Sequence, residues 1–189
     1  MLLADGSAST DAWVLGNRRV IDVEKEALFI VTEALARTGD RYAVLAFRSD
    51  GPERVEIQSI KQFAEPPGPT VERRIGLLEP DGHTRVGAAV RHATALLMHQ
   101  PVRHRLLVLL SDGRPNDVDQ YEGRYGLEDT RQAFAEARAQ RVYPFCLTID
   151  REAPRYAPRV FGPLGYALLE RAERLPHGLV TIMRQLLRA

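Results

Sequence analysis

The chain has 189 residues, of which 44% are hydrophobic and 27% are charged, and its formal net charge is +1. This composition is typical of a globular domain with a sizeable core, and it excludes an intrinsically disordered chain. The near-neutral charge gives no electrostatic support to nucleic-acid binding.

Cysteine usage and the length of the apolar runs indicate a cytoplasmic protein. The single cysteine, Cys146, lies in the apolar run YPFCLTI and has no second cysteine with which to form an internal disulfide. We therefore expect Cys146 to be a buried core residue in a protein of a reducing compartment. Apolar runs such as LLVLL are far shorter than the roughly 20 residues that span a bilayer. The N-terminus shows no signal-peptide pattern.

The beginning of the chain predicts a strand, a polar loop and a long helix. The first strand has only the apolar residues 2–4, whereas a buried strand usually has about 5–6 residues. We therefore interpret residues 1–189 as a single domain that forms the C-terminal part of a longer protein. The polar stretch DGSAST follows. Apolar residues then recur with helical spacing over residues 20–35, and Gly39 ends that helix.

The middle of the chain predicts a strand hairpin and two helices. Residues 41–47 (RYAVLAF) are typical of a buried strand, a turn lies at residues 50–52, and residues 54–60 (RVEIQSI) alternate in polarity. Alternation after a short turn indicates an antiparallel strand at the edge of a sheet. A short helix over residues 71–78, the loop PDGHTRVG and a helix over residues 86–97 follow.

The remainder predicts two buried strands, a short final strand and two helices. HRLLVLLSDG is the clearest strand, because a continuous apolar run is typical of a strand covered on both faces. A polar loop over residues 114–127 and a helix separate it from the strand RVYPFCLTID, and GYALLE and the amphipathic segment LPHGLVTIMRQLLR complete the chain. Strands that alternate with helices predict an α/β fold, a doubly wound, mostly parallel sheet with one antiparallel edge strand and helices on both faces.

Three of the predicted loops carry polar side chains at positions where a ligand would bind. Asp5, Ser7 and Ser9 follow the first strand, Thr84 precedes a helix, and Asp112 ends the most apolar strand. In an open parallel sheet, ligands bind at the carboxyl ends of the strands where the strand order reverses. If the first strand and the Asp112 strand are neighbours there, all five groups can converge. Hydroxyl and carboxylate oxygens suit a hard cation such as Mg²⁺, with Mn²⁺ and Ca²⁺ as alternatives.

Other interpretations of the same residues stay open at this point. Each of the three segments alone is also typical of a turn or of a helix N-cap. An Asp after the first parallel strand also begins the active site of Mg²⁺-dependent phosphatases, but those need a second acid two residues on, where this chain has Ser7. Such an enzyme would also need a lysine near the site, but the only two lysines, Lys25 and Lys61, do not lie in loops that follow a strand. A metal-free scaffold is the third alternative.

The loop after Asp112 is rich in acids but does not match a calcium-binding loop. Counted from Asp117, the fifth and sixth positions of the EF-hand pattern are Tyr121 and Glu122, where an acid and a glycine are needed. We interpret the loop as a solvated segment beside the predicted ion. Our hypothesis is that Tyr121, Arg124 and Tyr125 recognise a partner or close over the site.

The segments DGSAS, the Thr84 loop and LLSDG resemble the metal-ion-dependent adhesion site of von Willebrand factor A domains, in which Asp-x-Ser-x-Ser is followed by a Thr and then an Asp. The resemblance covers essentially the whole chain. It implies the doubly wound α/β fold of that family. The family usually has glycine between the two serines, where this chain has Ala8. The implied metal ligands are Asp5, Ser7, Ser9, Thr84 and Asp112.

A narrower resemblance concerns longer segments, among them RVIDVEKEAL, GHTRVGAAVRHAT and LLSDGRPNDVDQYEGRYGLEDTRQAFAEAR. These resemble the carboxy-terminal domain of NorD-type nitric oxide reductase activation proteins and of the related Rubisco-activating CbbO-type adaptors. The resemblance implies a non-enzymatic adaptor that links a MoxR-type AAA+ ATPase to a target enzyme, which presents an acidic residue to the metal. Since the sequence has no P-loop, we expect any ATP hydrolysis to belong to the partner.

Overall fold

The computed structural model describes residues 1–14 and 17–188, and within them it forms eight strands and six α-helices. The strands are β1 (Leu2–Asp5), β2 (Trp13–Val14), β3 (Arg18–Arg19), β4 (Val44–Ser49), β5 (Val55–Lys61), β6 (Arg105–Ser111), β7 (Val142–Thr148) and β8 (Tyr166–Leu168). The helices are α1 (Val20–Thr38), α2 (Pro69–Gly76), α3 (Val86–Met98), α4 (Gly123–Ala139), α5 (Ala157–Phe161) and α6 (Leu175–Arg188).

Six of the strands form one sheet in the order β5-β4-β1-β6-β7-β8. All neighbouring pairs are parallel except β4 and β5, which form the antiparallel edge hairpin. The predicted sheet is therefore confirmed. The chain passes from β1 to β4 on one side and later returns to β6 on the other, so the strand order reverses between β1 and β6. This reversal is the position at which open α/β sheets bind their ligands.

Helices cover both faces of the sheet, as predicted. On one face, side chains such as Leu3 and Leu109 join α3, α4 and α5 in a buried apolar cluster. On the other face, Leu2 and Leu110 join α1, α2 and α6 in a second cluster. Cys146 is buried in the first cluster with a free thiol, as expected. None of the described helices is both long and apolar enough to cross a membrane.

The prediction of a loop over residues 114–127 was wrong in its last part, because α4 already begins at Gly123. The buried positions of its first turns are Gly126 and Thr130, which carry no apolar signal. A Cβ at position 126 would lie only 3.0 Å from the Pro115 side chain, so the helix packs closely there. The two-residue strands β2 and β3 were also missed, since they are too short to show alternation.

Candidate metal site

Asp5 is the last residue of β1, and its side chain is completely buried. One carboxylate oxygen, Oδ1, accepts a hydrogen bond from the backbone N–H of Ser7 at 3.0 Å. The other, Oδ2, is buried and has no hydrogen-bond partner in the described part of the structure. A buried carboxylate oxygen without a partner is costly unless a positive charge compensates it. The strand end therefore presents an acceptor that a cation would satisfy.

Two serines connect Asp5 to the carboxylate that follows β6. The hydroxyls of Ser7 and Ser9 are 2.9 Å apart, and the Ser9 hydroxyl donates to Oδ1 of Asp112 at 2.9 Å. Ser9 lies in a 3₁₀ turn over Ala8–Asp11, which begins directly after Ser7. The Ser9 hydroxyl thus joins the loop after β1 to the carboxylate after β6.

Thr84 joins this group from the loop that precedes α3. Its backbone pairs with Asn116, with N–H···O distances of 2.8 and 3.1 Å, and its side chain is buried. The Thr84 hydroxyl favours the ionised form of Asp5 and acts to lower the pKa of that carboxyl. The structure therefore brings the predicted residues of three separate loops to one edge of the sheet.

Backbone hydrogen bonds hold the three loops in place independently of the side chains. Ala8 N–H donates to the Gly82 carbonyl and Asp81 N–H donates to the Gly6 carbonyl, both at 3.0 Å. Gly82 has a φ of +70°, and a Cβ there would lie 2.6 Å from the carbonyl oxygen of Ser49. Only glycine fits this position without strain.

Ala8, which departs from the family pattern, does not disturb the loop. It is exposed and is not among the described residues with positive φ. A methyl group therefore fits the backbone conformation at this position.

The two carboxylates of the site are held in a strongly unfavourable environment for their charge. Burial, followed by the nearby negative charge of Asp112, raises the pKa of Asp5 to about 8. Burial also raises the pKa of Asp112. Neither carboxylate forms an ion pair with a basic side chain in the described residues. A divalent cation would supply the missing positive charge.

The donor set decides which cation fits. Within the described residues, no three His, Cys, Asp or Glu side chains converge as a metal-binding group. A cation held here would therefore be coordinated by serine and threonine hydroxyls as well as by the two carboxylates. Oxygen-only coordination suits Mg²⁺, Mn²⁺ or Ca²⁺ rather than a thiolate- or imidazole-seeking metal.

A buried ionic network fixes the Thr84 loop against the loop after β6. Arg85 pairs with Asp117, with 2.9 Å between Nε and Oδ2, and also with Asp119. Asp117 Oδ1 accepts the backbone N–H of Gly51 at 2.8 Å. The Arg85 guanidinium lies over the Tyr121 ring, 4.2 Å from its centroid. This network makes the loop after β6 a fixed part of the site.

The same network corrects the hypothesis about Tyr121. Its side chain is buried, and its hydroxyl accepts from Gly87 N–H and donates to Asp129, so it is a structural residue rather than a recognition residue. Arg124 and Tyr125 are exposed and remain available to a partner.

Sequence reasoning missed Glu24, a buried carboxylate in the second turn of α1. Its Oε2 atom has no hydrogen-bond partner in the described structure. The signal was present in the sequence, because Glu24 occupies an apolar position of the helical repeat that includes Val20, Ala27 and Val31. A charged residue at such a position is unusual and needs an explanation.

Comparison with known proteins gives a consistent result. The sequence profile of the von Willebrand factor type A domain matches residues 1–114. The chain is 54% identical to Protein NorD of Brucella melitensis over 98% of its own length, and 48% identical to Protein NorD of Stutzerimonas stutzeri over 92%. It spans only 29% and 28% of those two proteins.

A solved structure, a von Willebrand factor type A protein from Catenulispora acidiphila, superposes with a TM-score of 0.69 at 17% identity. The match covers 98% of this chain and 41% of that one. At this identity the superposition supports the fold alone.

Proposed function

The chain belongs to the family of von Willebrand factor type A domains, and from this membership we propose that it is a non-enzymatic protein-interaction module that binds a divalent cation. Mg²⁺ suits its donors best. The observation that carries the proposal is the buried Oδ2 atom of Asp5, which has no partner among the described residues. It lies in a group of hydroxyls and carboxylates, and no basic side chain in the described part of the chain forms an ion pair with either carboxylate of that group.

The residues that would hold the ion are Asp5, Ser7, Ser9, Thr84 and Asp112. Ser7 N–H orients the Asp5 carboxylate by holding Oδ1, which leaves Oδ2 free to face the ion. Bound Mg²⁺ supplies a Lewis-acidic coordination position that an acidic side chain of a partner can complete. Ser9 is exposed whereas Asp5 and Thr84 are buried, so a partner would approach from the side of Ser9.

We further propose that the module acts as an adaptor. Similarity to proteins named NorD supports a role in the activation of a nitric oxide reductase, and a Rubisco-type target is the alternative. In this proposal the adaptor works in the cytoplasm with a MoxR-type AAA+ ATPase, and the target enzyme presents an acidic residue to the ion.

The hydrolase alternative receives less support from the same geometry. Ser7 stands where a phosphatase needs its second acid. Lys61 donates to the carbonyl oxygen of Tyr42 and pairs with Val44, at the edge of the sheet opposite Asp5. Lys25, which is largely buried, pairs with Glu79. Neither lysine is placed to stabilise a phosphoryl group beside Asp5.

The metal proposal is tested by calorimetric titration of the chain with Mg²⁺ and Mn²⁺. We expect one ion per chain for the wild type and at least about a hundredfold weaker binding for Asp112→Asn, because loss of a group that only supports a metal ligand already costs about 10- to 100-fold and Asp112 is a proposed ligand itself. Asp11→Asn is the matched control, since it removes an exposed carboxylate from the loop after β1 that carries Ser7 and Ser9. A wild type that binds neither ion, or an Asp112→Asn variant that binds normally, would contradict the proposal.

The adaptor proposal is tested separately by capture of a purified MoxR-type ATPase and of a purified reductase on the immobilised full-length protein. We expect capture of the target enzyme in Mg²⁺ to be lost in a chelator and in the Asp112→Asn variant. Capture that is equal with and without chelator would mean that the interaction does not use the ion.

A further inference from the structure

Glu24 lies close to the proposed metal site although it belongs to a different element. The first turn of α1 is tied to the loop that carries Ser9, because Val20 N–H donates to the Ala12 carbonyl at 2.9 Å. Glu24 is one turn further along α1, on the face that packs against the sheet. That face shares an apolar cluster with Ala4 and Leu110, the residues next to the ends of β1 and β6. These contacts place this part of α1 near the end of the sheet that carries Asp5 and Asp112, and the charges of both carboxyl groups act on Glu24.

Burial of the Glu24 carboxylate costs free energy that its own contacts do not offset. It is only 2% exposed, and Oε2 has no hydrogen-bond partner among the described residues. The negative charges of Asp112 and Asp5 act on it and, after burial, raise its pKa well above the ordinary value. A third buried carboxylate beside two others destabilises the protein unless a cation lies among them.

We propose that Glu24 is a third carboxylate of the cation site, one that strengthens the binding of a divalent ion through its charge and not as a direct ligand. This inference rests on the proposed function. Direct ligation is not part of it, because no three acidic, histidine or cysteine side chains converge as a ligand group in the described residues. The three carboxylates together would give the edge a formal charge of −3, which favours ions of higher charge over monovalent ions.

The test is titration of Glu24→Gln with Mg²⁺ and with Tb³⁺, each by calorimetry, and Tb³⁺ also by luminescence. Glutamine keeps the shape of the side chain and removes its charge. Since a Coulomb interaction scales with the charge of the ion, we expect affinity to fall about tenfold for Mg²⁺ and about thirtyfold for Tb³⁺. Glu26→Gln is the matched control, because Glu26 is an exposed carboxylate on the same helix.

A second measurement separates this role from a purely structural one. In the presence of a chelator, Glu24→Gln should raise the melting temperature, because it removes a carboxyl group whose ionisation is disfavoured in the folded state but not in the unfolded state. A structural role would instead lower the melting temperature and leave metal affinity unchanged. Glu24→Asp keeps the charge and should bind Mg²⁺ within about threefold of the wild type. A loss in Glu24→Asp as large as that expected for Glu24→Gln would show that the shape of the side chain matters rather than its charge, and would overturn the inference.

The outcomes distinguish the two proposals. Unchanged affinity of Glu24→Gln, together with weak binding by Asp112→Asn, would overturn the inference and leave the proposed function intact. Equal losses for the two ions would also overturn it, since the effect would then not scale with the charge of the ion. A loss greater than about a hundredfold for Mg²⁺ would overturn it as well, since it would indicate direct ligation. A wild type that binds no ion would overturn both.

Discussion

At the scale of single residues, the site is dominated by carboxylates that the fold keeps from water. Asp5 ends a strand in the centre of the sheet, where burial raises the pKa of its carboxyl to about 8. Hydrogen bonds from Ser7 and Thr84 favour the ionised form of Asp5, but they offset only part of this cost. The residue therefore couples the stability of the fold to pH and to cations.

We predict that the metal-free protein loses stability as the pH rises from about 4 to about 8. The pKa of Asp5 is about 8 in the folded protein against an ordinary value of 3.8, so the folded state binds more protons than the unfolded state between these values. The free energy of unfolding, measured by denaturant titration in a chelator at several pH values, should fall across this range. Asp5→Asn should flatten the curve, and an unchanged slope in that variant would contradict this assignment.

The same carboxyl makes metal affinity depend on pH in the opposite direction. A cation must displace the proton of Asp5, so Mg²⁺ binding should strengthen as the pH rises from 6 to 8. Calorimetry in buffers of different ionisation enthalpy should detect proton release on binding at pH 7. Binding that is independent of pH would mean that Asp5 is already ionised without the metal.

At the scale of elements, the site depends on how the loops are joined to one another. The Thr84 loop and the loop after β6 share a two-bond backbone bridge and the buried Arg85–Asp117 pair. The Asp117 carboxylate also accepts the backbone N–H groups of Gly51 and Val118, which joins the turn after β4 to the same unit. Loss of one of these contacts would therefore shift the positions of Thr84 and Asp112 together.

We predict that Asp117→Ala destabilises the protein by about 3 kcal/mol, because it leaves the buried Arg85 guanidinium with one partner fewer. The side chains of Arg85 and Asp117 are 7% and 0% exposed, so solvent screens this pair little. Metal affinity should fall as well, although Asp117 is not a proposed ligand. Denaturant unfolding and Mg²⁺ calorimetry check the two effects, with Asp50→Ala as the control because that carboxylate is exposed. A change of less than about 1 kcal/mol would mean that the network contributes little.

At the scale of the whole molecule, the metal and the fold should stabilise each other. The ligands come from both sides of the strand reversal, so unfolding disperses them and the unfolded chain has no assembled site. An ion that binds only the folded state raises the free energy of unfolding by mass action.

We predict that Mg²⁺ at a hundred times its dissociation constant raises the free energy of unfolding by about 2.7 kcal/mol. Thermal unfolding at increasing Mg²⁺ concentration measures this effect, and the same concentrations of K⁺ control for ionic strength. The Asp112→Asn variant should show no such increase. An equal increase in that variant would indicate nonspecific binding elsewhere.

Much of the fold could be predicted from local patterns, because the spacing of apolar residues shows which faces of a strand or helix are buried. The continuous apolar run of β6 and the alternation in β5 each follow from burial on two faces or on one. The start of α4 could not be predicted in the same way. Its first turns are buried through Gly126 and Thr130, which carry no apolar signal, and Gly126 is part of the core because it packs closely on Pro115.

Residue types and their order along the chain were enough to indicate an α/β fold and to single out Asp5, Ser7, Ser9, Thr84 and Asp112. This is because ligand chemistry depends on side-chain type, and strand ends are marked by a change from apolar to polar residues. Only three-dimensional packing could establish that β1 lies between β4 and β6, that Tyr121 is buried, and that the buried Glu24 lies within the influence of two other carboxylates. These features join residues that are distant in sequence, and their energies depend on burial and distance rather than on any local pattern.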